Sequence, residues 1–138
     1  MDRFTRNYLV FLGAILSLVV IAWLASLNPR VWELNDLLEK DPQLNAYPYR
    51  FQVLSVENGL ATLTTPRSSQ VPAVRFLGII YPQLANRQDN DPDVIEAQKT
   101  LADLQAHARQ LTLSQPDVSR VQWQIDTAWY AKHGIIIQ

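Results

Sequence analysis

Apolar and polar positions alternate along this chain with three different periods, and each period predicts a different element. From Tyr8 to Leu27 no charge interrupts an apolar run, YLVFLGAILSLVVIAWLASL. A helix of that length rises about 30 Å, the thickness of a bilayer's hydrocarbon core. Val31, Leu34, Leu37 and Leu38 then recur at helical spacing. Asn28-Pro29 supplies the cap and first residue of that helix, and Asp41-Pro42 ends it. Tyr49 to Val56 and Leu60 to Thr65 are β-branched and aromatic with rough alternation. Asn58-Gly59 lies between them, and both residues tolerate positive φ, so the pair predicts a hairpin.

Val71 to Ile80 (VPAVRFLGII) admits two readings. As a buried strand it is short and apolar on both faces. As a helix it has Ser69 as cap, Pro72 in the first turn and Tyr81 before the Pro82 stop. Periodicity cannot separate the two in so short a run. The next stretch is plainer. Asp91-Pro92 repeats the cap-then-proline signature, and Val94, Ala97, Leu101, Leu104, Ala108 and Leu111 form one helical stripe that Pro116 must end. Arg120 to Ile125 alternates, with Val121, Trp123 and Ile125 on one side, as in a half-buried strand. Asp126 to Gly134 reads as one or two helical turns stopped by glycine.

These elements predict an α+β protein: a single N-terminal transmembrane helix followed by one small α+β domain with a β-hairpin, an amphipathic helix and a further strand. The expected divisions are a cytoplasmic start (1–7), the span (8–27), a juxtamembrane helix and linker (28–48) and the domain (49–138). The run also has a second reading, a cleavable signal peptide, with Arg3 and Arg6 as basic start and Val20-Ile21-Ala22 as cleavage site. Its length exceeds a signal core and favours the anchor. Arg3 and Arg6 crowd the short side, whereas Arg30 and Lys40 are the basic residues near the far side. That asymmetry favours a cytoplasmic amino terminus and a periplasmic body at a bacterial inner membrane.

Charge and composition narrow the chemistry. Beyond Leu27 the chain carries ten Lys plus Arg against twelve Asp plus Glu. No basic stripe suits a nucleic-acid duplex, so no nucleic-acid partner is expected. The sequence has no cysteine, which removes disulfides, thiol chemistry and thiolate-bound metal. The histidines, His107 and His133, lie far apart, where surface or capping roles are the common ones. Asp89, Asp91 and Asp93 are spaced like the opening of a calcium loop but lack its later glycine and glutamate. A solvated loop and a helix cap account for them. Catalytic, cofactor and metal residues are therefore expected to be none. Trp123, Trp129 and Tyr130 are the candidate interface anchors, since aromatics dominate binding hot spots. Their competing role is to fill a small core with large side chains.

Two family resemblances touch these residues. The short helix before Asp41-Pro42, then Tyr49–Val56, Asn58-Gly59, Leu60–Thr65 and the Pro116-to-Val121 lead into a last strand, resemble a BON domain over about 31–66 and 93–125. That family runs helix, strand, strand, helix, strand, so the stretch between would be an insertion. The resemblance implies an envelope module that contacts lipid or protein without catalysis. Val74 to Ile79 followed by Pro82-Gln83 resembles instead the third strand of a staphylococcal-nuclease-like barrel. On that resemblance Arg75 and Arg120 match two catalytic arginines. Leu60 and Ile80 then stand where the family has calcium-binding aspartates, and Gln83 stands for its glutamate. Without those carboxylates nothing holds the ion or activates water, which implies a degenerate domain with residual or lost phosphodiesterase activity. Arg75 has a plainer role too, snorkelling or capping a carbonyl. The chain also resembles short single-pass gammaproteobacterial proteins sometimes labelled glutamate–ammonia-ligase adenylyltransferase. Nucleotidyl transfer needs paired metal-binding aspartates, and no Asp-x-Asp follows a Gly-Ser turn here.

The expected function is thus a membrane-anchored envelope binding or scaffold module, with the lipid bilayer and an envelope protein as partners.

Overall fold

The computed structural model describes residues 2–26 and 29–137. The expected cap Asn28 and the last residue of the expected span, Leu27, lie outside them.

Helix α1 (Arg3–Ser26) begins where an Asp2 carboxylate oxygen accepts the Thr5 N–H at 2.8 Å. From Arg3 to Trp23 it is long and apolar enough to cross a membrane, and none of that stretch is buried against the protein; a signal sequence meets the same test. Phe4, Val10 and Leu18 are 80, 69 and 66 % exposed. Such a surface is far from what water tolerates on a monomer.

Helix α2 (Pro29–Lys40) follows the expected spacing and buries Leu34 and Leu38. Asp41 then caps a further short helix, α3 (Pro42–Asn45), accepting the N–H groups of Gln43 and Leu44. Leu44, Tyr47 and Tyr49 enter the same core cluster as α2. Residues read from sequence as a juxtamembrane helix and linker therefore supply part of the core.

The hairpin forms as expected: β1 (Val53–Glu57) pairs antiparallel with β2 (Leu60–Thr65) across Asn58 and Gly59, at φ 51° and 81°. A Cβ on Gly59 would come within 2.6 Å of the Ser119 hydroxyl, so close approach adds to the backbone requirement. The first strand starts at Val53 rather than Tyr49. Gln52 still bonds to Thr64, through the Thr64 N–H and the Thr64 hydroxyl. The register shifts between Val53 and Ser55, as at a β-bulge, and the Tyr49–Phe51 segment lies outside the strand.

Of the two readings for Val71–Ile80, the helical one is observed: α4 (Ala73–Ile80) buries Phe76 and Leu77. Its expected start differs. Pro72 occupies the cap position itself with no side-chain cap, and Ser68, not Ser69, takes up the free N–H groups of Gln70 and Val71. Gly78 in this helix lets Ala85 approach, with Ala85 Cα 3.3 Å from where a Cβ would sit. After a 3₁₀ turn (Pro82–Leu84), α5 (Pro92–Leu113) begins at the expected Asp91 cap and buries Val94, Leu101, Ala108 and Thr112. Strand β3 (Arg120–Ile125) lies parallel to β2, and α6 (Thr127–Lys132) closes the fold with Asp126 as cap and Gly134 at φ 77°.

The sheet order is β1-β2-β3, so the hairpin's second strand is central. The long return through α4 and α5 is what a parallel pairing of β2 with β3 requires. Thr65 on β2 bonds its hydroxyl to Gln105 on α5 at 3.1 Å, which marks the helix-covered face. By alternation Ala61, Leu63, Val121, Trp123 and Ile125 share that face, while Thr62, Thr64, Arg120, Gln122 and Gln124 share the other.

Candidate interaction surface

The two edges of the sheet end differently. On the β1 edge, Asn35 of α2 accepts the Val53 N–H at 2.6 Å and donates to the Val53 carbonyl at 3.0 Å. One side-chain amide thus imitates a neighbouring strand. On the β3 edge nothing comparable is present among the described residues. Arg120 N–H donates to Gly59 O and Asp126 N–H to Thr65 O, at 3.0 and 2.9 Å. A residue's N–H and C=O point to one side of its strand and the next residue's to the other, so even-numbered residues of β3 face β2. Val121, Trp123 and Ile125 turn theirs outward. No hydrogen bond among the described residues meets them. Long bare edges of this kind invite a further strand, and proteins usually blunt them with Lys, Pro or a bulge. Strand β3 (RVQWQI) has none of these within it.

The candidate aromatics divide between surface and core. Tyr130 is fully buried, with its hydroxyl donating to the Pro66 carbonyl. It serves the core and presents nothing to a partner. Trp129 is half-buried, edge-on to Tyr49 and Tyr130 at 5.9 and 5.0 Å, and stacked on His133 at 4.1 Å. Trp123 is half-buried on β3, 6.0 Å from Phe51. It alone of the three belongs to the open edge.

Asp126 organises the junction between β3 and α6. One carboxylate oxygen accepts the Tyr49 hydroxyl at 2.8 Å and the other the Trp129 N–H at 3.0 Å. Burial, with the Asp126 charge adding to it, holds the Tyr49 phenol well above its usual range. Burial raises Tyr130 to about 12.

The two arginines of the nuclease resemblance are not brought together. Arg75 is exposed on α4 and acts electrostatically on Tyr130, near the end of β2. Arg120 is exposed at the start of β3, opposite Leu60. Tyr130 bonds Pro66, just past the other end of β2 from Leu60. Val74 to Ile79, which that resemblance takes as a strand, is helical.

His107 reaches across to the Asp41 carboxylate at 2.9 Å, tying α5 to the cap of α3. Burial raises the Asp41 pKa, but His107 and the Leu44 and Gln43 N–H groups outweigh it and leave it lowered. His133 bonds the Trp129 carbonyl through Nδ1 at 2.8 Å, a helix-end contact as expected. Asp91 and Asp93 serve the α5 cap and pair with Arg87, at 3.4 and 2.9 Å. Among the described residues no group of three or more His, Asp or Glu converges on a metal-sized site. Shallow grooves occur beside α2, beside α5 and beside α6; Arg50, Asp126, Trp129 and Lys132 line the last.

Sequence reasoning missed Asn35 and Asp126. Asn35 is simply a polar residue in an amphipathic helix, and nothing local ties it to a strand edge. Asp126 is visible as a helix cap, but its bond to Tyr49 joins residues far apart in the chain. Comparison with known family models, curated proteins and solved structures gives no match.

Proposed function

We propose that this chain is a membrane-anchored binding or scaffold module of the bacterial envelope, without catalytic activity, whose working surface is the free β3 edge. The observation that carries the reading is the contrast between two parts of one molecule. Helix α1 is long and apolar enough to cross a membrane, and from Tyr8 to Trp23 it exposes a surface without a single charge. Among the described residues, the remainder packs one shared core and leaves the outward backbone groups of β3 without a partner. An apolar rod with no cover needs lipid, and a bare edge needs a strand.

The order α2, β1, β2, α5, β3, with α4 between, supports the envelope-domain resemblance over the nuclease one, as a fold-level analogy. Arg3 and Arg6, in the first turns of α1 ahead of its uncharged run, support a cytoplasmic amino terminus. The test is a carboxy-terminal alkaline phosphatase fusion expressed in bacteria. The expected result is phosphatase activity that stays with membranes through alkaline carbonate extraction. An inactive fusion contradicts the orientation; active fusion released to the aqueous fraction, trimmed behind α1, contradicts the anchor.

A further inference from the structure

We propose that β3 pairs antiparallel with β3 of a second copy of this chain, about a twofold axis through Trp123. The inference rests on the reading that the β3 edge is the working surface. In an antiparallel pair, residues directly opposite each other either exchange both backbone hydrogen bonds or exchange none. The outward groups belong to Val121, Trp123 and Ile125, so an odd-numbered residue must lie opposite an odd-numbered one. One register engages all three on both strands: Trp123 opposite Trp123, and Val121 opposite Ile125. Every outward N–H and C=O of β3 then finds a partner.

The same register decides the side chains, which were not used to choose it. Arg120 comes opposite Asp126, and Gln122 opposite Gln124. Opposite charges therefore meet at each end of the pair, with amides between them. Arg120 makes no ion pair among the described residues, and its guanidinium is exposed. The Asp126 oxygens each hold one hydrogen bond already, and a carboxylate oxygen can accept a second. Val121, Ile125 and Trp123 all lie on the helix-covered face, so apolar positions continue apolar ones across the axis. Both helix layers then fall on one side of a continuous sheet. Such an interface is isologous and closes on itself, which leaves the far edges to Asn35.

The absence of cysteine makes the register directly testable. In this pairing Gln122 and Gln124 of opposite copies form a non-hydrogen-bonded pair with Cβ atoms about 4.5–5.5 Å apart, near disulfide range. Full-length Q122C and Q124C chains would be mixed in mild detergent and oxidised with copper phenanthroline. The expected result is a mixed disulfide at least five-fold above either variant alone or above L54C, whose exposed side chain lies on β1. Arg120→Glu, which sets like charges opposite each other, should cut that yield several-fold while leaving the far-ultraviolet circular dichroism spectrum unchanged. Sedimentation of the unmodified chain in the same detergent should give a dimer.

Thiols at 122 and 124 that react freely with a maleimide but form no mixed disulfide would overturn self-pairing while leaving the edge open. The same thiols protected from maleimide and not crosslinked would overturn both the pairing and the open edge. Equal crosslinking by L54C would show random collision and overturn the register.

Discussion

At the scale of single residues, the contacts that hold the fold set how its stability should depend on pH. The Asp41 carboxyl is held below its ordinary 3.8, so the folded state binds fewer protons than the unfolded chain in acid. Its contribution is complete above that value and is lost as pH falls through the lower folded one. Tyr49 and Tyr130 work at the other end. Their phenols are raised by burial, Tyr130 to about 12, so their contribution is complete below the ordinary 10 and is lost as pH rises through the folded values. A plot of unfolding free energy against pH should therefore be flat in the middle and fall at both ends. Asp41→Asn should flatten part of the acid limb, where Asp117, held low by Arg30, also contributes, and Tyr130→Phe part of the alkaline one. An acid limb unchanged in Asp41→Asn would remove Asp41 from the explanation.

At the scale of elements, the sheet is held by what closes its edges. Asn35 supplies both an acceptor and a donor to Val53. Asn35→Ala should cost about 1–3 kcal/mol, because two partly buried backbone groups lose their partner. Asn35→Asp keeps the acceptor for the Val53 N–H but turns the donor into a carboxylate oxygen facing the Val53 carbonyl, so at neutral pH it should cost at least as much as the alanine. Urea midpoints for the three chains give the comparison. Equal midpoints for Asn35→Ala and the unmodified chain would mean that water replaces the amide at no cost. Helix α5 illustrates the opposite case: its stripe was plain in the sequence, and Val94, Leu101 and Ala108 are all fully buried.

At the scale of the whole molecule, the body begins earlier than the hydrophobic pattern suggests. Leu34, Leu38, Leu44 and Tyr47 share one core with Phe76, Leu101 and Tyr130. Arg30 at the start of α2 pairs with Asp117 beyond α5 at 2.7 Å, so the start of α2 is fastened to the connection that leads into β3. A chain begun at Pro29 should unfold cooperatively, whereas one begun at Tyr49 should not, because it loses a wall of its core. Heat denaturation followed by near-ultraviolet circular dichroism distinguishes them. Cooperative melting of the shorter chain would restore 28–48 to the role of a linker.

The sequence alone determined the elements whose causes are local. Asn58-Gly59 forces a turn that needs positive φ, Asp91-Pro92 starts a helix, and Val94 to Leu111 gives it one apolar face. Helix α1 likewise carries its reason in the length of its apolar run. Tertiary structure decided what depends on neighbours. Val71 to Ile80 is apolar enough for strand or helix, and only the fit of Phe76 and Leu77 into a shared core, with Gly78 against Ala85, makes it a helix. It also decided which aromatic is core and which lies at an edge, since Trp123 and Tyr130 look alike in a sequence. The bare β3 edge is of the same kind. An unpaired strand edge is a fact about the absence of a neighbour, and a chain records its neighbours only once it has folded.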